Sequence, residues 1–143
     1  MSTHLKFAIE TARLRLRAWR ADDFPAFAQL NANAQVMRYF PSSLTQTESD
    51  ALAQTFQQFI NQNGWGFWAV ELKHSQEFIG FTGLHAQPER FDFSPCVEIG
   101  WRLDSKFWHQ GYATEAARAC LYFAFSVLDL DEVVACLLYT SPS

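Results

Sequence analysis

The sequence predicts an α+β domain in which helices flank a mixed, mostly antiparallel sheet. Three patterns predict this class: a charged and apolar alternation near the start, two aromatic-rich runs separated by a short polar turn, and helical segments on both sides of those runs. Apolar residues make up 49% of the 143 residues, which is enough for one buried core. We therefore expect one domain with the order strand, two helices, three antiparallel strands, helix, strand.

The first strand and the first helix follow each other directly. Residues 13–19 alternate charged and apolar side chains at period two, which is typical of a half-buried strand. Asp22 and Asp23 are able to cap a helix that runs to about Asn31. Pro25 lies in the first turn of that helix, where a proline removes no intrahelical hydrogen bond.

Short local signals bound the second helix and the hairpin that follows it. Residues 45–48, Thr-Gln-Thr-Glu, have the form of a capping box, and the pair Asn63-Gly64 stops the helix. The runs 67–72 and 78–84 are rich in aromatic and β-branched residues, and the polar residues between them predict a turn. We therefore expect a long helix and then an antiparallel hairpin.

The second half of the chain adds a strand, a helix and the start of a last strand. After a loop over 85–95, residues 97–103 predict a strand, and Gly100 inside it indicates a bulge or a close approach. A helix over about 114–128 is apolar on nearly every side, so it must be covered on more than one face. Residues 132–135 begin the last strand.

The composition argues against several classes of function. The net charge of −4 provides no basic field for phosphate backbones, so nucleic acid is not an expected partner. The chain begins without an apolar leader, and its longest apolar run, 119–125, is too short to span a bilayer, so we expect no membrane association and a cytoplasmic location. Cys96, Cys120 and Cys136 lack disulfide or metal-ligand spacing, so we expect small core residues and no metal.

The segment 109–114, His-Gln-Gly-Tyr-Ala-Thr, lies between a predicted strand and a predicted helix. The N-terminus of a helix presents unpaired N–H groups and favours an anion, so a phosphate is able to bind there. Gly111 allows a positive φ or a close approach by a ligand, and the Thr114 hydroxyl is able to cap the helix or bind a phosphate oxygen. An ordinary glycine turn with an N-cap is the alternative interpretation.

Two longer segments carry a specific resemblance. Residues 98–103 (EIGWRL) and 108–116 (WHQGYATEA) resemble the acetyl-CoA signature of the Gcn5-related N-acetyltransferase (GNAT) family, in the branch of the ribosomal-protein N-terminal acetyltransferases. Residues 11–17 (TARLRLR) and 80–83 (GFTG) resemble the same branch, so the similarity runs from about residue 8 to residue 135. Trp108 stands where the general family motif has Gln or Arg, which concerns one side-chain contact and not the backbone amides.

This resemblance implies that acetyl-CoA is the cosubstrate and that it lies along the predicted strand as a substitute strand, with its pyrophosphate at the loop amides. The residues that the resemblance implies for cofactor binding are Trp101, Arg102, Leu103, His109, Gln110, Gly111, Tyr112, Ala113 and Thr114. Glu98 is the candidate general base that takes the proton of the acceptor amine, and a surface ion pair is its alternative role. The N–H of Trp101 is one candidate donor to the developing oxyanion. The general acid is expected beyond Ala135 and is not assigned.

Several other residues are interpreted as structural. His85 is read as a turn residue at a strand end, and the aromatic residues Phe40, Trp65, Phe67 and Trp68 are read as core. The arginines of residues 13–17 are read as the charges of a solvated sheet face.

The end of the chain is interpreted separately. The resemblance stops in mid-strand at Ala135, and residues 136–143 resemble a translated sequencing adapter. We therefore expect residues 1–135 to be a partial N-acetyltransferase domain that lacks its C-terminal strands, and residues 136–143 to be an artefactual tail. A genuine divergent C-terminus is the alternative.

The predicted function is the transfer of an acetyl group from acetyl-CoA to the primary amine of a peptide N-terminus or a small molecule. It is predicted for the intact protein from which the chain comes, and loss of activity is expected of a chain truncated at residue 135. Three alternatives stay open: a non-catalytic acyl-CoA-binding module, an inactive truncated remnant, and an interaction domain that kept only the fold. The acceptor itself and the oligomeric state are not predicted.

Overall fold

The computed structural model describes residues 9–38, 40–87, 96–130 and 133–135 of the chain. The predicted tail, 136–143, lies outside the described residues, and so does most of the predicted loop before residue 96. The strands are β1 (Ile9–Glu10), β2 (Leu14–Arg17), β3 (Phe67–Leu72), β4 (Phe78–Gln87), β5 (Cys96–Leu103) and β6 (Val134–Ala135), and the α-helices are α1 (Asp23–Ala32), α2 (Gln46–Asn63) and α3 (Tyr112–Ser126). A 3₁₀ turn, Ser105–Phe107, follows β5.

The six described strands form one sheet in the order β1-β2-β3-β4-β5-β6. The pairs from β1 to β5 are all antiparallel, and β6 lies parallel to β5. The predicted α+β class with a mostly antiparallel sheet is therefore confirmed. The parallel pairing joins Glu98 to Val134 and Ile99 to Ala135, and α3 forms the connection between the two strands.

The helices cover both faces of the sheet. Neighbouring residues of β3 point to opposite faces, and the ring centroid of Phe67 lies 5.1 Å from that of Phe56 on α2, whereas the centroid of Trp68 lies 5.3 Å from that of Phe123 on α3. Helix α1 packs beside α2 on the first face. The core thus has two layers, one under the helix pair and one under α3.

The two N-terminal helices begin differently. Helix α2 has the predicted capping box, in which Thr45 Oγ1 accepts from Glu48 N–H and the Glu48 carboxylate accepts from Thr45 N–H. Helix α1 does not use the predicted cap, since Asp22 makes no side-chain capping bond. Asp23 instead accepts from the N–H of Arg20 and from the guanidinium of Arg17.

Helix α3 also departs from the prediction at its start. It begins at Tyr112 with Gly111 as the N-cap, so Thr114 lies inside the first turn and the predicted capping role of its hydroxyl is wrong. The exposed side of the helix carries Tyr122, Phe125 and Val127, so within the described residues the helix is covered mainly on its sheet side. None of the described helices combines the length and the apolar character that a membrane span requires.

Gly100 makes no bulge, which was one of its two predicted alternatives, but it does allow a close approach. The β4–β5 register runs without a shift from Gly80 to Gln87, and the register shift in this part of the sheet lies between Val70 and Glu71 of β3. A Cβ on Gly100 would lie 3.3 Å from the ring of Phe67. The glycine therefore permits the close approach of an aromatic ring.

The arginines of β2 do not form the predicted solvated face. Arg17 is buried and pairs with Asp23 at 2.8 Å and with Glu71 at 2.7 Å. Arg15 pairs with the other carboxylate oxygen of Glu71 at 2.7 Å and with Glu10 at 3.1 Å. Strand β2 is thus tied to α1, β1 and β3 by an ionic cluster that includes the buried Glu71.

Candidate active site

The loop between β5 and α3 turns sharply at two residues with positive φ. His109 has φ 64° and Gly111 has φ 84°. His109, Gln110, Gly111 and Thr114 are exposed, whereas Tyr112 and Ala113 pack inward. The first intrahelical bond of α3 runs from Glu115 N–H to Gly111 C=O at 3.0 Å. The amides before Glu115 therefore stand at the helix N-terminus, where an anion is favoured.

Arg13 holds this loop from the side of β2. Its Nη1 donates to the carbonyl oxygen of Gln110 at 3.0 Å, and its Nε donates to Glu115 Oε1 at 2.7 Å. The guanidinium carbon lies 4.3 Å from the ring centroid of Tyr112, and Nη2 would lie 3.3 Å from a Cβ on Gly111. One arginine thus contacts the loop, the first turn of α3 and the N-cap glycine.

Glu115 closes the same arrangement. Its carboxylate accepts from the backbone N–H of Arg13 at 2.9 Å and from the hydroxyl of Thr11. Burial acts to raise the pKa of Glu115, but the hydrogen bonds from Thr11 and Arg13 outweigh it, so the pKa is lowered. Glu115 is therefore ionised at neutral pH and balances the charge of Arg13 beside the loop.

Trp108 connects the loop to β5. Its indole is buried, and Nε1 donates to the carbonyl oxygen of Leu103 at 2.9 Å. The tryptophan that departs from the general family motif therefore has a structural contact of its own at the end of the strand. The 3₁₀ turn Ser105–Phe107 lies between the two ends of this contact.

The edge of β5 that faces away from β4 is covered only in part. Among the described residues, β6 pairs with Glu98 and Ile99, and no strand pairs with this edge from Gly100 to Leu103. The predicted cofactor residues Trp101, Arg102 and Leu103 lie on this stretch, which leads through the 3₁₀ turn to the loop. Backbone groups on such an edge are able to pair with a chain of amides.

Glu98 lies on β5 with its side chain on the α2 face of the sheet. It is 1% exposed and lines a cavity of about 170 Å³. The other described residues that line this cavity are Leu52, Phe56, Phe67, Phe81, His85, Gly100 and Arg102. Glu98 is therefore a buried carboxylate in the wall of a largely aromatic cavity, and its role as the general base stays a prediction.

His85 is the residue that the sequence interpretation missed. It lies inside β4 as the direct cross-strand partner of Glu98, so its interpretation as a turn residue is wrong. Its ring stacks on those of Phe59 and Phe67, with centroid distances of 4.5 Å and 5.4 Å. Burial lowers the pKa of His85, and the charge of Glu98 opposes this only in part, so the imidazole is neutral at neutral pH.

The side chain of Arg102 does not reach the loop. Its Nη1 donates to Asn31 Oδ1 at 2.7 Å, and its guanidinium carbon lies 4.6 Å from the ring centroid of Phe40 and 5.3 Å from that of Phe81. Any contact of Arg102 with a molecule along the β5 edge therefore involves its backbone, while its guanidinium belongs to the cavity.

The aromatic and cysteine predictions have mixed outcomes. Phe67 and Trp68 are buried as predicted, and Phe67 also lines the cavity. Cys120 is a buried core thiol, and burial raises its pKa to about 12. In the described part of the chain, no three histidine, cysteine or acidic side chains come together as metal ligands.

Comparison with known proteins agrees with this geometry. The family model for the acetyltransferase (GNAT) domain matches residues 13–139. The chain is 30% identical to the Bacillus subtilis protein YkkB over 91% of this chain and 75% of that protein, and 30% identical to the B. subtilis N-acetyltransferase YnaD over 89% and 71%.

The solved structures show the same fold. An acetyltransferase from Agrobacterium tumefaciens superposes with a TM-score of 0.74 at 28% identity, over 89% of this chain and 71% of that one. Most of this chain thus has the fold of an acetyltransferase of known structure. The chain belongs to the acetyltransferase (GNAT) domain family, a family of acetyl-CoA-dependent acetyltransferases.

Proposed function

We propose that the protein transfers the acetyl group of acetyl-CoA to a primary amine, either a peptide N-terminus or a small molecule. The observation that carries this proposal is the position of Glu98. This buried carboxylate lies on β5, whose edge beyond Ile99 pairs with none of the described strands and leads to the loop before α3. A proton acceptor and a cosubstrate site therefore share one strand.

The residues present fit the cosubstrate. The amides from Gln110 to Thr114 stand at the N-terminus of the 15-residue helix α3, where a pyrophosphate would be favoured. His109, Gln110 and Gly111 leave this site open to solvent. The edge from Trp101 to Leu103 would pair with the amides of pantetheine.

The acceptor amine arrives as an ammonium ion and must lose a proton before it attacks. The carboxylate of Glu98 accepts this proton, and the neutral amine then forms the new C–N bond. When bound, acetyl-CoA supplies the thioester carbonyl that is attacked and the thiolate that leaves. The N–H of Trp101 is the proposed donor to the carbonyl oxygen.

A cytoplasmic location stays a prediction.

The test is the substitution Glu98→Gln, which keeps the shape of the side chain and removes the proton acceptor. We expect kcat to fall by roughly 10²-fold or more, as is typical for the loss of a general base. Acetyl-CoA affinity, measured by calorimetry, should change little. Glu77→Gln is the matched control, because Glu77 is an exposed hairpin residue whose ion pair with Lys106 is 3.6 Å long.

The outcomes separate the alternatives. Unchanged turnover in the Glu98→Gln protein would remove Glu98 as the base. Acetyl-CoA binding without turnover in the unmodified chain would favour a non-catalytic acyl-CoA-binding module. A lack of both would contradict the proposed function for this chain and favour an inactive truncated remnant or an interaction domain that kept only the fold.

A further inference from the structure

The cavity beside Glu98 has walls of two kinds. Leu52 and three phenylalanines, at positions 56, 67 and 81, form its apolar part. Glu98, His85 and Arg102 form its polar part, and Gly100 leaves room where another residue would place a side chain. The phenylalanine rings contact each other, since the centroids of Phe56 and Phe81 lie 4.9 Å apart. The shape of the cavity is therefore set by packed rings.

The volume of the cavity limits what it holds. It measures about 170 Å³. An apolar cavity of roughly 150 Å³ in another protein binds one benzene molecule. A group of about the size of one six-membered ring therefore fills this cavity, and a longer group must extend out of it.

The charges on the cavity wall further limit which molecules the cavity holds. Glu98 is the anionic group among the described lining residues, and Arg102 is the cationic group. Arg102 already donates to Asn31 and lies over the rings of Phe40 and Phe81, so it is held in place as a fixed positive charge. His85 adds no charge at neutral pH, because its pKa is lowered by burial. Glu98 attracts one ammonium group. A second ammonium group on the same molecule would face Arg102 and be repelled by its positive charge.

We propose that the acceptor is a monoamine whose amino group is carried by a compact apolar group of about the size of a benzene ring. This inference rests on the proposed function and specifies its acceptor. The apolar group fills the space between Leu52 and the phenylalanine rings, while the amino group meets Glu98. Polyamines and amines with a cationic tail are excluded by Arg102. A free amine and the first residue of a peptide are both able to present this combination of an amino group and a compact apolar group.

The first experiment compares acceptors at saturating acetyl-CoA. The panel contains benzylamine, ethylamine, spermidine and two tripeptides that begin with phenylalanine or lysine. Release of CoA measures transfer, and calorimetry with the amines alone measures binding. We expect kcat/KM for benzylamine to exceed the values for ethylamine and spermidine by about tenfold or more. A phenylalanine tripeptide as good as benzylamine would identify a peptide source, and a poor one would identify a free amine.

A pair of variants then tests whether the cavity is the cause of this preference. Leu52→Trp fills the cavity from α2 and should lower kcat/KM for benzylamine about tenfold, with a smaller loss for ethylamine, which occupies less of the cavity. Ala51→Trp adds the same ring to an exposed position of α2 and should change neither value. If Leu52→Trp does not fold, Leu52→Ala enlarges the cavity, and 2-naphthylmethylamine should become a better acceptor than benzylamine.

The results distinguish this inference from the proposed function. Transfer to all amines at similar rates, or no effect of either Leu52 variant, would overturn the inference and leave the transferase. Binding of benzylamine without transfer would support the cavity and contradict the transferase. Neither binding nor transfer with any amine in the panel would overturn both.

Discussion

Gly111 allows the chain to turn from the loop into α3. With φ 84° and ψ 3° it has a left-handed conformation, and a Cβ at this position would lie 3.3 Å from Nη2 of Arg13. Most residues with a side chain adopt this conformation at a cost of roughly 1–2 kcal/mol. The glycine therefore contributes both the backbone turn and the space that the guanidinium occupies.

We predict that Gly111→Ala lowers the free energy of unfolding by about 1 kcal/mol and weakens acetyl-CoA binding severalfold, because the new methyl group displaces Arg13 from the loop. Urea unfolding and calorimetry measure the two effects. Gly64→Ala is the matched control, since Gly64 has φ 82° at the end of α2. It should cost the same stability with no loss of acetyl-CoA affinity. Equal losses of affinity in both variants would contradict the assigned role.

Single residues were predictable from the sequence where their role depends on near neighbours. The reciprocal bonds of Thr45 and Glu48 are of this kind, since the partners are three positions apart in the sequence. His85 was not predictable, because its position depends on how far β4 continues past residue 84, and its partner Glu98 is set by strand register. The contact of Trp108 with Leu103 requires the turn geometry between them.

At the scale of elements, the main connection is between the start of β2 and the start of α3. Glu115 accepts two hydrogen bonds from Arg13, one from its backbone and one from its side chain, and a third from Thr11, while Arg13 also donates to the carbonyl oxygen of Gln110. The two elements are far apart in the chain, so no periodicity or motif spacing predicts that they meet. The loop follows β5, but Arg13, which holds it, lies directly before β2, three strands away from β5 in the sheet.

We predict that Arg13→Gln raises KM for acetyl-CoA by up to about fivefold with little change in kcat, because a partly exposed ion pair contributes at most about 1 kcal/mol to the position of the loop. Steady-state kinetics with varied acetyl-CoA measure this effect. Arg118→Gln, at an exposed position of α3, is the control that should change neither constant. A fall in kcat with constant KM would show that Arg13 acts on the chemical step instead.

Element boundaries, like single residues, were predictable where their signals lie close together in the sequence. The second helix, the hairpin and the strand before the loop were predictable to within a few residues, since caps, turns and alternation are local signals. The start of α3 was placed two residues late, because Gly111 acts as the N-cap and Thr114 does not. A glycine cap leaves no side-chain signature in the sequence, whereas a threonine suggests a cap even where it makes none.

At the scale of the whole molecule, the ionic cluster around Glu71 joins three strands and a helix. Its carboxylate is almost completely buried and accepts from Arg17 and Arg15, both at 2.7 Å. Burial acts to raise the pKa of Glu71, but the two arginines outweigh it, so its pKa lies below the ordinary value of 4.5. The α+β class was predictable from the order of the elements, but this cluster was not, since alternating arginines usually indicate a solvated face.

We predict that Glu71→Gln lowers the free energy of unfolding by about 3 kcal/mol at pH 7, because it leaves buried Arg17 with one carboxylate fewer. A carboxylate with a lowered pKa stabilises the fold above pH 4.5 and loses this contribution as the pH falls through its folded pKa. The difference between the two proteins should therefore shrink below pH 4.5. Urea unfolding between pH 7 and pH 3 measures it, with Glu77→Gln as a neutral control. A constant difference across this range would contradict the pKa argument.

The strands of this sheet are arranged in the order in which a ribosome makes them. Each described strand after β1 pairs with the strand synthesised just before it, so none has to enter between two strands that are already joined. During synthesis each new strand covers the edge that the strand before it left open. The pairing of β6 requires the whole of α3 to have been made, because that helix forms the crossover between the parallel neighbours β5 and β6. The parallel pair is therefore the last part of the described sheet to assemble as the chain emerges.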